Sequence, residues 1–342
     1  MLEEIIVTAE RRELSLQETP ISIVAYSTES IELKGIETME DIATFTPNLD
    51  IKGSRFRGNH NPVWQIRGLS GYGGTTSERT AGLYIDGIYV PRTTGPFLNV
   101  LDVERIEVLR GPQGTLFGRN STGGAIRIFT QRPGPEQEGY VRLGLGNFDR
   151  RDLTAMFNVP VSDTFYLRGQ FASLNQDGYV RRGPQLLGGS EDVVARLQGR
   201  FVPSDNVTVD INFSQTEVDS EGGAQDLAIW DMRPHQDYEG NYADWLSDFL
   251  QNAGQPRLDV YNDPRVVLDD YTMPDWCFID DGDPDWDAAC EQWNTLDFQQ
   301  LDATVEWQIS DTLTLTSITG ISTFESASVS DSQLLGFSWS PS

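Results

Sequence analysis

Residues 103–130 read VERIEVLRGPQGTLFGRNSTGGAIRIFT and contain two β-prone runs, IEVL at 106–109 and AIRIF at 125–129. A single glycine is enough for a hairpin turn between two strands. Here five glycines separate the runs: Gly111, Gly114, Gly118, Gly123 and Gly124. We interpret them as positions where backbone packs closely against backbone, with positive φ where a turn requires it. No GK[ST] follows and a strand comes next, so the stretch does not predict a nucleotide-binding loop.

The overall composition excludes several classes of protein. The 342 residues carry a net charge of −27, which argues against a nucleic-acid partner. No run approaches 18 consecutive apolar residues, so no transmembrane helix is predicted, although barrel strands give a weaker signal. Met1 precedes no charged-then-apolar export segment, which indicates either a mature chain with an added methionine or a truncated one. We expect no enzyme, because the two histidines lie in loops and no nucleophile–base pattern is present.

The first residues form a short β-prone run that cannot bury much surface by itself. IIVT at 5–8 lies between acidic residues and is followed by a polar segment at 10–19. Such a peptide suits capture by another protein as an added strand. A frayed first strand is the alternative.

The first 135 residues predict a small mixed α+β domain with long glycine-rich connections. A strand at 21–27 is followed by a helix for which Ser30 is the expected cap. A further strand is predicted at 65–70. LYIDGIYV at 83–90 predicts a hairpin, since Asp86-Gly87 suits a type I′ turn.

Beyond residue 135 the pattern changes to alternation of apolar and polar residues. In YVRLGLGNF at 140–148, valine and leucine alternate with arginine and glycine. Such segments predict strands with one apolar and one polar face. The segments are 140–148, 151–161, 164–173, 195–201 and 206–214.

The connections between these strands are of two kinds. Three are short and contain Ser-Asp, at 160–164, 203–206 and 308–312. Two are long, at about 175–190 and about 219–294. Short turns at one end and long loops at the other are typical of an outer-membrane barrel, with the short turns in the periplasm and the long loops outside the cell.

The number of strands does not close such a barrel. At most about eight follow residue 135, the last being a stub that ends SWSPS, whereas a lumen that holds a whole domain needs about 22 strands. Open strand edges in lipid are costly. We therefore expect the chain to be the first part of a longer one, with the remaining strands supplied by a C-terminal portion or by a second chain. A domain inside the lumen is expected to consist of loops, without a large apolar core.

The long segment at 219–294 is acidic and holds both cysteines. Cys277 and Cys290 would form a disulfide in an oxidising compartment; two free thiols are the alternative, and a zinc site is not expected without a nearby histidine. Aspartates alternate within DDGDPDWD at 280–287, but the spacing departs from an EF-hand, so a solvated loop is favoured over a calcium site. The tryptophans of the segment suit a ring-bearing ligand. We expect no resident cofactor or metal.

The quoted stretch, extended to QRP at 131–133, closely resembles the end of the plug domain of TonB-dependent outer-membrane receptors. EEIIVTA at 3–9 resembles their TonB box. PISIVAYS, IRG and YIDG follow in the family's order and spacing.

The resemblance implies a domain organisation in the outer membrane of a Gram-negative bacterium. The TonB box and a linker would occupy 1–18, and an α+β plug domain 19–135. Residues 136–342 would form the N-terminal part of an antiparallel transmembrane β-barrel.

The resemblance also implies roles for individual residues. The TonB box would be captured as an added strand by the C-terminal domain of TonB, which ExbB and ExbD drive indirectly. The residues of the box are Glu4, Ile5, Ile6, Val7, Thr8 and Ala9. Arg67 and Arg110 match plug arginines that pair with barrel-wall glutamates, and solvation by lumen water is the alternative. The candidate ligand contacts lie at the plug apices and would suit an anionic ligand. They are Arg55, Arg57, Tyr72 and Arg92.

The family's activity implies active import of a scarce small-molecule ligand across the outer membrane, with a ferric siderophore or similar iron complex as the first substrate class. Carbohydrate, cobalamin or another nutrient is the alternative. A signalling role is disfavoured, because the box begins about three residues into the chain and leaves no room for a sensor domain before it. A truncated or split receptor that does not transport by itself is a further alternative. Outer-membrane lipid is the other expected partner.

Overall fold

The computed structural model of the chain describes residues 6–7, 14–15, 21–54, 58–70, 80–90, 101–118, 120–182, 185–221 and 293–329. Among these residues, no helix is long and apolar enough to cross a membrane. Two units are in contact. They are an N-terminal domain within residues 21–135 and a large antiparallel sheet beyond it, here called the wall sheet.

The N-terminal domain is built on a five-stranded mixed sheet. The elements up to residue 130 are β1 (Ile6–Val7), β2 (Leu14–Ser15), β3 (Ile23–Ser27), α1 (Thr28–Lys34), α2 (Met39–Phe45), β4 (Leu49–Ser54), β5 (Gly58–Ile66), β6 (Leu69–Ser70), β7 (Ala81–Ile85), β8 (Ile88–Val90), β9 (Val103–Arg110), α3 (Gly114–Phe117) and β10 (Gly124–Thr130). The strand order of the sheet is β3-β9-β10-β7-β8. The two β-prone runs pair antiparallel, with Val108 opposite Ile126, whereas β10 and β7 are parallel. The α+β class predicted for this domain is confirmed.

The caps of the two longer helices are local hydrogen bonds. The predicted cap of α1 is wrong: Ser30 lies in the first turn, and its N–H donates to Oγ of Ser27, which is the true N-cap. Ser27 is the last residue of β3 and keeps extended backbone, as an N-cap requires. In α2, Thr38 and Asp41 form a reciprocal capping box.

Two turns in the domain depend on left-handed backbone. The strand predicted at 65–70 is interrupted, because Arg67 and Gly68 have φ of +56° and +75° and separate β5 from β6. The hairpin predicted at Asp86-Gly87 is confirmed, with φ of +47° and +86°. The carboxylate of Asp86 also accepts hydrogen bonds from the backbone N–H and the hydroxyl of Thr130, each at 2.8 Å.

The expectation that the domain lacks a large apolar core is wrong. Eighteen buried apolar residues form one cluster that the sheet, α1, α2, β4 and β5 enclose. Met39, Ile42 and Ile66 in this cluster are fully buried. The sheet therefore has a conventional hydrophobic face. Burial of this apolar surface stabilises the domain.

The glycine-rich stretch makes close backbone contacts, as predicted. Gly124 has φ of +152°, and a Cβ there would lie 2.1 Å from the carbonyl oxygen of Leu109 on the neighbouring strand. A Cβ on Gly123 would lie 3.2 Å from the carbonyl oxygen of Thr80. Within the same stretch, Gly114–Phe117 form the one-turn helix α3. A flexible linker would not be packed in this way.

The wall sheet contains seven antiparallel strands that are neighbours in chain order. They are β11 (Glu138–Leu145), β12 (Arg151–Ser162), β13 (Phe165–Gln176), β16 (Ser190–Ser204), β17 (Val207–Ser220), β18 (Trp293–Ser310) and β19 (Leu313–Val329), and a two-stranded hairpin of β14 (Val180–Arg182) and β15 (Gln185–Leu187) lies between β13 and β16. The eighth strand predicted as a stub lies outside the described residues.

The two faces of the wall sheet differ in polarity, as the alternation predicted. On the outer face, Leu143 and Leu145 expose 75% and 87% of their surface. On the inner face, Gln198 and Asn212 are each only 6% exposed, because the N-terminal domain covers them. The three short Ser-Asp turns are also confirmed, since each connects two successive strands of the sheet directly.

Candidate functional site

The N-terminal peptide predicted to act as a coupling strand is extended in the structure. β1 pairs antiparallel with β2, so that Ile6 lies opposite Ser15 and Val7 opposite Leu14. The chain thus folds back on its own linker. A capturing protein would add to the other edge of β1 or displace β2. The remaining predicted residues of this peptide, Glu4, Ile5, Thr8 and Ala9, lie outside the described residues.

The inner face of the wall sheet carries a row of polar side chains, here called the anchor row, and three of its members hydrogen-bond to the N-terminal domain. One residue comes from each of five adjacent strands, and successive members lie directly opposite one another. The anchor row consists of Asn158, Arg168, Gln198, Asn212 and Asp302.

Arg168 makes the strongest contact of the anchor row. Its Nε donates to Oδ2 of Asp102 at 2.7 Å and its Nη2 donates to Oδ1 at 2.6 Å. Its Nη1 also donates to Oε1 of Glu138 at the start of β11, at 2.6 Å. Two parallel charge-assisted hydrogen bonds fix both the distance and the orientation of the partners. Arg168 therefore ties the N-terminal domain to two strands of the wall.

Two further members of the anchor row bind the end of the domain. Asn158 accepts from the backbone N–H of Gly134 at 3.1 Å and donates to its carbonyl oxygen at 2.9 Å. Gln198 donates from Nε2 to the hydroxyl of Thr130 at 2.9 Å. The chain thus leaves β10 and enters β11 along a hydrogen-bonded track on the wall.

The Asp86-Gly87 hairpin supplies the apolar part of the interface. A Cβ on Gly87 would lie 2.9 Å from the side chain of Ile318 in β19. A Cβ on Gly320 would lie 2.8 Å from the side chain of Ile88 in β8. Both glycines permit this close approach between the hairpin and the wall.

Arg67 and Arg110 come together at one end of β9. The guanidinium of Arg67 lies over Gly111, where a Cβ would be 3.0 Å from Nη1. Arg110 donates from Nη1 to the carbonyl oxygen of Pro47 at 3.1 Å. Neither arginine forms an ion pair with the strands of the wall sheet that the structure describes. Their pairing with wall glutamates stays a prediction, because the expected partners belong to strands beyond this sheet.

The other residues singled out from the sequence are not described. The ligand candidates Arg55, Arg57, Tyr72 and Arg92 lie outside the described residues. So do Cys277 and Cys290, and the aspartates of 280–287. The disulfide and the ligand contacts stay predictions.

A buried charge cluster lies within the N-terminal domain itself. The side chain of Glu107 in β9 is fully buried and accepts from Nη1 of Arg127 at 2.8 Å and from Nε of Arg105 at 3.0 Å. The guanidinium carbons of Arg105 and Arg127 lie 3.6 Å and 4.6 Å from the ring centroid of Phe129. A carboxylate without these partners would carry a large desolvation cost.

Two carboxylates at the edges of the assembly have shifted pKa values. Burial raises the pKa of Glu40 in α2, with a smaller contribution from Asp41 and an opposing one from Thr38. Burial also raises the pKa of Glu221, just beyond β17; Asp177 adds to the shift, and the N–H of Gly178 opposes it. Glu221 in addition donates its own backbone N–H to the carbonyl oxygen of Gly189 at 3.2 Å. It thereby holds the connection between β13 and β16 against the end of β17.

The most important contacts were not predicted from the sequence. Arg168, Gln198 and Asn212 lie in the strands predicted at 164–173, 195–201 and 206–214, but nothing in those segments indicates that they anchor another domain. Asp102 carries no sequence signal, although its φ of +49° marks it as an unusual backbone position. Which polar residues meet depends on the register of the domain against the wall, which local sequence does not encode.

Comparisons with known proteins agree with this architecture. Residues 15–125 match a family model described as TonB-dependent Receptor Plug Domain. The pesticin receptor of Yersinia enterocolitica is 26% identical over 266 residues, which cover 75% of this chain and 37% of that receptor. The vitamin B12 transporter BtuB of Vibrio vulnificus is 27% identical over 180 residues, 51% of this chain and 28% of the transporter.

The likeness extends to solved structures. The ferric yersiniabactin uptake receptor FyuA from Yersinia pestis superposes with a TM-score of 0.67 at 19% identity, over 91% of this chain and 42% of that one. The chain therefore spans about two fifths of the length of the receptors that it resembles.

Proposed function

We propose that the chain is the plug domain and part of the β-barrel of a TonB-dependent receptor of the outer membrane, and that it serves active import of a ferric siderophore or similar iron complex. The N-terminal domain is called the plug from here on. The relatives are named as receptors and transporters, and FyuA as an uptake receptor for a ferric complex.

The observation that carries the proposal is the polar character of the contact between plug and wall. The plug has its own apolar core, and the hydrogen bonds of Asn158, Arg168 and Gln198 hold it to the wall. Water can replace such hydrogen bonds at small net cost, whereas separation of an apolar interface exposes surface that water does not solvate. A plug attached in this way can move relative to the wall and keep its fold.

Coupling would act through β1. In this proposal the C-terminal domain of TonB binds the strand that contains Ile6 and Val7 through main-chain hydrogen bonds and transmits force to the plug. The linker that holds β2 is polar in sequence, so we expect it to extend before the plug itself is strained.

Ligand recognition would take place at the plug apices that face the outside. Arg55, Arg57, Tyr72 and Arg92 are the candidates there, and they suit an anionic complex because guanidinium groups bind oxygen anions through two parallel hydrogen bonds. Cobalamin is the second candidate ligand, because a vitamin B12 transporter is among the relatives.

The proposal is tested by uptake in cells that carry the gene and lack their own iron-complex receptors. We expect accumulation of a radiolabelled ferric siderophore that disappears when TonB is deleted, and induction of the gene under iron starvation. Unchanged expression, together with TonB-dependent uptake of cyanocobalamin in place of iron complexes, would favour the second candidate.

A further inference from the structure

A second row of polar side chains lies beside the anchor row on the inner face of the wall sheet. Its members are offset from the anchor row by two residues along each strand, so they point to the same side of the sheet. Gln170 lies opposite Arg196, Arg196 opposite Ser214, and Ser214 opposite Gln300. We call these four residues the polar belt.

The polar belt differs from the anchor row because many of its polar atoms are buried without partners. Nε and Nη1 of Arg196, Nε2 and Oε1 of Gln170, and Oε1 of Gln300 have no hydrogen-bond partner among the described residues. Buried polar groups are rarely left in this state, because each forgoes the hydrogen bonds that it would make to water. The belt therefore offers hydrogen-bonding atoms that the described residues do not use.

A cavity of about 30 Å³ separates part of the belt from the plug. Arg196 and Ser214 line it on the wall side, and Ile85 and Leu101 line it on the plug side. The volume suffices for a water molecule but not for a siderophore. In the closed arrangement the belt is therefore inaccessible to a ligand that arrives from outside.

The charge balance around Arg196 depends on the plug. The carboxylates of Asp86, Asp102 and Asp302 interact electrostatically with its guanidinium. Each carboxylate has a different hydrogen-bond donor, namely Thr130, Arg168 and Gln300. Asp86 and Asp102 belong to the plug, so their displacement would leave Arg196 on the wall as an exposed cation with fewer counter-charges.

We propose that the polar belt is a transit site, at which Arg196 binds an oxygen anion of the ligand as it passes between plug and wall. The site takes a carboxylate, phenolate or phosphate group, because the free N–H groups of a guanidinium match the geometry of such anions. Gln170 and Ser214 add neutral hydrogen bonds on either side. This inference rests on the proposed import function and adds a second contact, distinct from the plug apices.

Arg196→Gln and Arg196→Lys test the site with two iron complexes of the same shape and different charge. Ferric tris(catecholate) is triply negative, and ferric tris(acetohydroxamate) is neutral. We expect Arg196→Gln to slow uptake of the anionic complex roughly tenfold, the effect of one lost charge-assisted hydrogen bond. Uptake of the neutral complex, and binding of both complexes to the cell surface on ice, should not change. Arg196→Lys should retain most of the activity, because the cation is kept.

Several results would overturn the transit site. Equal loss of uptake for both complexes, or weaker surface binding, would assign Arg196 a role in folding or in initial recognition. Increased entry of a large antibiotic without any ligand would make Arg196 an anchor of the plug. Uptake of neither complex by the parent protein would instead contradict the proposed import of iron complexes.

A labelling experiment gives a readout that does not depend on the choice of ligand. Arg196→Cys, in a background with Cys277→Ser and Cys290→Ser, should react with a negatively charged membrane-impermeant thiol reagent only when TonB is energised. Labelling at the same rate without TonB, or no labelling in either state, would contradict a site that opens with plug movement.

Discussion

The guanidinium of Arg168 in the wall sheet and the carboxylate of Asp102 in the plug form a two-point ion pair, with N–O distances of 2.7 Å and 2.6 Å. The side chains are only 6% and 5% exposed. The arginine belongs to the wall and the aspartate to the plug, which is the reverse of the arrangement expected for Arg67 and Arg110. The plug is thus fixed to the wall by a contact that neither the sequence around Arg168 nor the sequence around Asp102 predicts.

Asp102→Asn should loosen the plug without changing its fold. The substitution leaves Arg168 buried with one carboxylate partner instead of two, which costs about 3 kcal/mol for a buried pair. We expect the plug to become accessible to protease at lower urea concentration. Arg151→Gln, at an exposed arginine of the same sheet, is the matched control and should have no effect. If Asp102→Asn and Arg168→Gln have fully additive effects, the two residues do not act as a pair.

Glu107→Gln should destabilise the plug far more than Glu104→Gln. Both carboxylates pair with Arg105, but Glu107 is fully buried, whereas the side chain of Glu104 is 38% exposed. Loss of the buried charge removes a carboxylate partner from both Arg105 and Arg127 and costs about 3 kcal/mol or more, whereas the exposed pair contributes about 0.5 kcal/mol. Urea unfolding followed by protease cleavage of the plug measures both. Equal effects would show that the buried cluster adds nothing.

Gly124→Ala should prevent stable packing of β10. The residue has φ of +152°, and the new methyl group would lie 2.1 Å from the carbonyl oxygen of Leu109. Backbone strain and overpacking together cost about 3 kcal/mol or more. Gly114→Ala is the control, because a Cβ there meets nothing within 4 Å. A folded, protease-resistant plug in the Gly124→Ala protein would contradict the backbone contact.

The stability of the plug should fall as pH rises just above the ordinary range of a glutamate. Burial raises the pKa of Glu40 in the folded state. Between the unfolded pKa of about 4.3 and this raised value, the folded state binds more protons than the unfolded state, so rising pH favours unfolding. Glu40→Gln should flatten this dependence and stabilise the plug at neutral pH. Glu29→Gln, at an exposed position of α1, is the matched control for the removal of one glutamate from a helix of the plug.

Local pattern was sufficient to predict the elements that local chemistry determines. The Asp86-Gly87 turn, the three Ser-Asp turns and the alternating strand faces depend on neighbouring residues only, and they are confirmed. The cap of α1 was wrong by one turn, because Ser27 and Ser30 are both good caps and the end of β3 decides between them. The break at Arg67 was missed because a non-glycine residue with positive φ has no clear sequence signal.

Contacts between distant parts of the chain could not be predicted. The apolar core of the plug was underestimated, because its members are scattered over residues 26–128. The anchor row and the polar belt depend on how the plug is placed against the wall. Arg168, for example, is a polar position on a predicted strand, but its partner Asp102 lies in a loop more than sixty residues earlier in the chain.

Coupling of the plug to TonB through β1 is tested by the substitution Val7→Pro. Proline removes a main-chain donor and disfavours addition of a strand, whereas Val7→Thr keeps both the donor and the β propensity. In cells that carry each variant, uptake of the radiolabelled ferric siderophore and its binding to the cell surface are measured together. We expect Val7→Pro to abolish uptake and leave binding unchanged, and Val7→Thr to import normally. Uptake by Val7→Pro at the rate of the parent protein would contradict it.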